Sequence, residues 1–119
     1  MNVKEFIKLI KKNPRMFVDE NRMDYIEHVI YGFVSCNLLN KRGDNVDMQF
    51  HTFFWKWMVT WIKINIDGNY EEKYYSWNKT LKDVTSNEAE AIELFFQLCD
   101  LFFDEYENKE FCMVNNTVD

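Results

Sequence analysis

Three glycines and one proline are all that punctuate 119 residues, and that scarcity narrows the fold more than any motif does. A sheet of many short strands needs frequent tight turns, which draw heavily on these two residue types. Between the few breakers the apolar residues recur every three to four positions over long runs, the period of a helix packed on one face. With 47% apolar and 18% aromatic residues, the chain has ample material for one core. Its length fits one domain, with a radius of gyration of roughly 14 Å expected.

The first helix is expected over Val3–Lys12, where Val3, Phe6, Ile7 and Ile10 share a face. Pro14 stops it, because the residue before a proline is pushed out of the helical region. Met16, Phe17 and Val18 in the connector Arg15–Asn21 are expected to tuck against the core. A second helix is expected over Arg22–Asn40, with Gly32 inside it; a close helix–helix approach is the usual reason to tolerate glycine there, at a cost of about 1 kcal/mol against alanine. A third, Asp47–Ile64, carries Phe50, Phe53, Phe54, Trp57, Met58 and Trp61 as an aromatic stripe, with Trp55 and Val59 off it.

The stretch Ile62–Tyr75 reads two ways. Ile62, Ile64 and Ile66 alternate before Asp67-Gly68, a hairpin signal, yet Glu71-Glu72-Lys73 breaks the alternation. The preferred reading is a helix end near Asn65 with Gly68 as its left-handed cap; a small hairpin at 62–75 stays open. A short helix is expected over Trp77–Val84 behind Ser76. The last runs to Glu107 behind Thr85-Ser86-Asn87-Glu88, read as a capping box. The expected fold is therefore an all-α bundle of four main helices plus a short fifth, one domain over residues 1–107, with 108–119 a flexible tail.

Charge sorts along the chain. Residues 1–22 carry six basic and three acidic groups, residues 23–82 seven of each, and residues 83–119 one basic and ten acidic, within a net charge of −6. On the last helix Glu90, Glu93, Gln97, Asp100, Asp104 and Glu107 recur at helical spacing opposite an apolar face, and no Lys or Arg lies between Glu88 and Asn108. No carboxylate there has an i+4 partner inside its own helix. The stripe is either a solvated face paired with lysines of the first helix or a docking surface for a cationic partner. Nucleic acid is disfavoured as a partner by this balance, and a basic protein fits better. Tyr70, Tyr74, Tyr75 and Trp77 cluster beside Glu71 and Glu72. Such aromatics anchor interfaces or cap a bundle end. The core reading is favoured for Trp77, and the two stand even for Tyr74 and Tyr75.

Catalytic signals are absent from the pattern. There is no nucleophile elbow, phosphate-binding loop or dinucleotide fingerprint, and His28 and His51 stand alone on different helices. No enzyme activity, cofactor or metal is expected. Cys36, Cys99 and Cys112 are odd in number and far apart, and Cys36 and Cys99 read as buried thiols. No stretch approaches the ~18 apolar residues of a membrane helix, and the opening MNVKEFIKLIKK scatters charge through its apolar residues. A cytoplasmic protein with no membrane contact is the expectation.

The order of these features resembles a group of small helical immunity proteins of bacterial toxin–immunity systems, including contact-dependent growth inhibition. The resembling pieces are KEFIKLIKKNPRMFV, the run Ile30-Tyr31-Gly32-Phe33, the aromatic helix FHTFFWKW, Ser76-Trp77 and the acidic AEAIELFFQLCDLFFDEY, spanning about residues 4–107. Asn13, Arg15, Phe17 and Asp19 depart from the group's Arg-Pro-Gly-Met-Tyr and following Gly. The resemblance implies a protein that binds a toxin domain in the cytoplasm and blocks its active site or substrate surface. A basic toxin domain, such as a cationic nuclease, would suit the acidic face. The partner-binding residues expected from the charge stripe and the tyrosine cluster are Glu90, Glu93, Asp100, Asp104, Glu107, Glu71, Glu72, Tyr74 and Tyr75. The rival readings are an acidic regulatory adaptor or nucleic-acid mimic, and a small-ligand-binding or catalytic domain with a pocket lined by Trp55, Trp57, Trp61 and His51.

Overall fold

In the computed structural model, which describes residues 1–108, five helices account for the architecture: α1 (Val3–Lys12), α2 (Met23–Leu39), α3 (Asn45–Asn65), the short α4 (Trp77–Asp83) and α5 (Glu88–Asn108). The described residues contain no strand, so the stretch 62–75 forms no hairpin. The tail expected beyond the last helix lies, from residue 109 on, outside the described residues. The radius of gyration is 14.5 Å, that of one compact unit.

α5 is the common wall, packing on α1, α2, α3 and α4. Its core residues Phe95 and Phe102 are fully buried against Phe50 and Phe54 of α3, and Phe54 meets both of them edge-on at 5.9 and 5.3 Å. Trp77 opens α4 and drives its ring into this cluster, 5.4 Å from Phe50 and 5.5 Å from Phe54. Edge-to-face pairs of this kind add about 0.5–1.5 kcal/mol each beyond the area they bury. The stripe read on α3 is real, and Trp77 belongs to the core.

Each helix start needs partners for its free N–H groups, and this chain borrows carboxylates across the bundle to supply them. Asn2 and Glu5 form a capping box on α1, and the buried Asp47 of α3 also accepts from the Val3 N–H at 2.8 Å. Asp47 closes a second box with Asp44 at the start of α3. Arg22 offers α2 no side-chain cap, and Glu88 of α5 accepts from the Met23 N–H at 2.9 Å instead. The start of α4 is held by Ser76 and by Glu27 of α2, whose carboxylate accepts from Ser76 Oγ, Trp77 N–H and Asn78 N–H at 2.9–3.1 Å.

Several local expectations are corrected. The cap of α5 lies two residues later than the Thr85–Glu88 box: Asn87 Oδ1 accepts from the Glu90 N–H, and Glu90 reaches back to the Ser86 N–H. Gly68 is not left-handed; that conformation falls to Lys41 (φ 57°) after α2. There the Arg42 and Gly43 N–H groups both return to the Asn37 carbonyl. α3 ends instead in an Asx turn, with the Asn69 N–H on Asp67 Oδ1. Gly32 marks no close approach, since a Cβ there would meet nothing within 4 Å. In the connector Val18 is buried and Phe17 packs on the core, but Met16 points to solvent. Cys36 is exposed, whereas Cys99 is fully buried and burial pushes its thiol pKa well up.

Candidate functional site

Two surfaces bear the residues expected to meet a partner. The first is the acidic stripe of α5. All of its carboxylates face solvent, and α1 runs antiparallel beside it, bringing lysines to two of them: Lys4 Nζ lies 2.8 Å from Glu107 and Lys11 Nζ 3.4 Å from Asp100. The hydrogen bond and charge of Lys4 hold the Glu107 carboxyl below its ordinary value. Glu90 is committed to the helix start, as above. Of the two readings left open for the stripe, the solvated face paired with the first helix describes Asp100 and Glu107, while Glu90, Glu93 and Asp104 carry exposed negative charge with no ion pair among the described residues. A count within one helix could not choose between them, because the counter-charges come from the other end of the chain.

The second surface lies around the connector into α4. Glu72 sits between Lys56 and Lys63 of α3, at 3.5 and 4.0 Å, so it pins the connector to that helix. Glu71 points into solvent. Tyr74 is partly exposed with Lys79 Nζ 5.8 Å from its ring centre. Tyr75 is 87% exposed, and its ring lies flat on Trp55 at 4.3 Å with an interplanar angle of 19°. The stack leaves one face of Tyr75 free and holds it in place without burying it.

Tyr75 and Trp55 form one side of an open groove of about 750 Å³ between α2, α3 and the start of α4. Along α2 it is lined by Asp24, His28, Tyr31 and Ser35, which recur at helical spacing; His51 and Phe50 contribute from α3, and Trp77 and Asn78 from α4. Tyr31 is 55% exposed, its ring 6.1 Å from His51 and 6.4 Å from Trp77. His28 Nδ1 lies 2.7 Å from the Asp24 carbonyl. Burial pushes the Asp24 carboxyl up, but the hydrogen bond and charge of Arg22, at 2.7 Å, outweigh it and leave the group more acidic than usual. Two polar atoms of the groove wall, Trp55 Nε1 and Asn78 Oδ1, are buried without a hydrogen-bond partner.

The groove joins residues that sequence reasoning kept apart. The two histidines, read as isolated, line one cavity, and Tyr31, named only in the run Ile30-Tyr31-Gly32-Phe33, was given no binding role. The signal was present in the polar and aromatic stripe Asp24, His28, Tyr31, Ser35 opposite the buried Ile26, Ile30 and Val34. The tryptophan pocket expected with His51 forms only in part. Trp55 lines the groove, but Trp57 Nε1 donates to Glu105 at 2.7 Å and its ring packs on Phe102, while Trp61 is not among the lining residues. No residue of the acidic stripe borders the groove. Among the described residues no group of three or more His, Cys, Asp or Glu side chains could hold a metal ion, and no helix is long and apolar enough to cross a membrane. No protein-family model, curated protein or solved structure matches the chain.

Proposed function

We propose that this chain is an immunity protein: it binds a toxin domain in the cytoplasm of the cell that makes the toxin and neutralises it by covering its active site or substrate surface. The observation that carries the reading is the aromatic rim of the groove. Large exposed rings held rigid in advance, each with a polar edge, are what interfaces use as anchors, because they bury area at little cost in conformational entropy. Tyr75 on Trp55 and Tyr31 across the groove have that form. With the ion-paired carboxylates of the stripe set aside, Glu90, Glu93 and Asp104 remain, with the net charge of −6, to speed encounter with a basic partner rather than to hold it.

The class of partner comes from the resemblance in sequence order described above, and the choice of binding over catalysis from the lack of any catalytic pattern in the sequence. The groove's size supports a second reading, since small-molecule sites fall in the range of about 300–1,000 Å³ and are lined by aromatic walls with a few polar groups. A small molecule retained through purification and seen by native mass spectrometry would favour it.

The test is genetic and biochemical at once. The chain is co-expressed with the neighbouring reading frame that ends in a toxin domain, and growth and affinity capture are followed together. Rescue of growth with capture of the toxin domain in equal amount is the expected result. Growth arrest despite full expression of the chain contradicts the assignment.

A further inference from the structure

We propose that Asp67 is a site of spontaneous isoaspartate formation, at the turn that carries the chain out of α3. The step needs a side-chain carboxyl one bond short of a five-membered ring with the next amide nitrogen. It also needs that nitrogen to be open to approach and its N–H to be held by nothing else. The chain meets these conditions together at one place. Its three glycines follow Tyr31, Arg42 and Asp67, and every other Asp or Asn of residues 1–108 is followed by a residue carrying a Cβ. Without a Cβ, Gly68 lets a reacting group come close to its backbone.

Asp67, Gly68 and Asn69 are all exposed, so water reaches both the carboxyl and the ring it would form. The Tyr70 N–H closes the turn on the Asp67 carbonyl at 3.0 Å, and the Asp67 N–H is tied to the Ile62 carbonyl at 3.0 Å. Gly68 holds the second position of that turn, whose N–H the turn's own hydrogen bond does not use. Among the described residues no hydrogen bond engages it. The Asn69 N–H on Asp67 Oδ1 at 3.0 Å folds the carboxyl back over the Gly68 peptide, as an Asx turn does. Asp100 and Asp104 differ, since each is followed inside α5 by an N–H committed to the helix. The step balances with water alone. The Gly68 nitrogen attacks Asp67 Cγ and gives up its proton, the carboxyl hydroxyl leaves as water, and a succinimide closes. Water then opens either carbonyl, returning aspartate or giving isoaspartate, whose main chain runs through Cβ and Cγ. The product keeps the original mass and gains one main-chain atom between α3 and the buried Tyr70, so the turn must re-form to keep that ring in the core.

The test follows the purified full chain through a long incubation in warm, mildly acidic buffer. Peptide mapping with electron-transfer fragmentation locates isoaspartate, and an L-isoaspartyl methyltransferase with labelled S-adenosylmethionine counts it. Isoaspartate that accumulates at residue 67 of the folded chain, at least tenfold faster than at any other Asp or Asn of residues 1–108, is expected. Gly68→Ala is the control. The backbone φ there is not positive and the added Cβ meets only the Lys63 carbonyl, at 3.7 Å, so this variant should keep the wild-type unfolding temperature and react at least tenfold more slowly. Asp67→Asn should instead react faster, with ammonia as the leaving group and a product one mass unit heavier than the starting variant. A folded chain that stays intact while the same chain in urea converts overturns the inference, because the turn would then protect the pair. So does conversion that is undiminished in Gly68→Ala or absent in Asp67→Asn. None of these outcomes depends on a partner.

Discussion

Two residues of this chain sit where the other's chemistry is wanted. Gly32 lies in the middle of α2, exposed and with free space where a Cβ would go, while Lys41 holds a left-handed φ of 57°, which suits glycine. Gly32→Ala should raise stability by about 0.5–1 kcal/mol through helix propensity, and Lys41→Gly by about 1 kcal/mol through relief of the left-handed penalty. Urea unfolding of both variants checks this. A loss on Gly32→Ala would mean a packing role at Gly32 that the open space denies. Asp47 is the opposite case. Nearly fully buried, it serves the Val3 and Asp44 N–H groups at once. Asp47→Ala should cost about 2–3 kcal/mol by leaving buried donors unpaired, whereas Asp19→Ala, on the exposed connector, should cost under about 0.5 kcal/mol.

At the scale of elements, helices stay legible from sequence and their mutual ties do not. Apolar spacing found the four long helices to within a residue or two, because burial of one face sets that period, and the Ser76 cap signal found the short one. It could not find which carboxylate caps which helix, since Glu27, Asp47 and Glu88 act on segments 44 to 65 residues away. Nor could it see the groove, whose lining comes from three elements. α4 illustrates the dependence: a helix of seven residues is too short to persist alone. Glu27→Ala should therefore destabilise the protein by about 1–2 kcal/mol. It should also speed amide hydrogen exchange at Trp77 and Asn78 well before that of α5. Uniform acceleration across all five helices would contradict a local role. The Lys4–Glu107 and Lys11–Asp100 pairs are surface bridges, so double-mutant cycles should return well under about 1 kcal/mol for Lys11–Asp100. They orient α1 on α5 more than they stabilise it.

For the molecule as a whole, the acid side of the stability profile follows from three carboxyls. Asp24 and Asp44 lie below the ordinary 3.8 and Glu107 below 4.5. Burial works against this at the two aspartates. Arg22 overrides it for Asp24, while Asn2 and the N–H groups opening α3 do so for Asp44. All three bind protons more weakly folded than unfolded, so the stability they contribute is complete above those ordinary values and drains as pH falls through the native ones. The unfolding temperature should fall below about pH 4, and Asp24→Asn with Asp44→Asn and Glu107→Gln should flatten that limb. A limb of undiminished steepness in the triple variant would assign acid unfolding to other groups.

The division of labour proposed for this surface, anchoring by the groove and steering by the residual acidic face, meets its most direct test in binding kinetics with the captured toxin domain. Association and dissociation rates are compared for the natural chain, Tyr31→Ala/Tyr75→Ala and Glu93→Lys/Asp104→Lys, each at low and high salt. Loss of the two rings should speed dissociation about 30-fold, the equivalent of a 2 kcal/mol anchor, and charge reversal should slow association and weaken its salt dependence. A toxin that leaves the ring-deleted chain no faster than the natural one would contradict the groove as the site of contact.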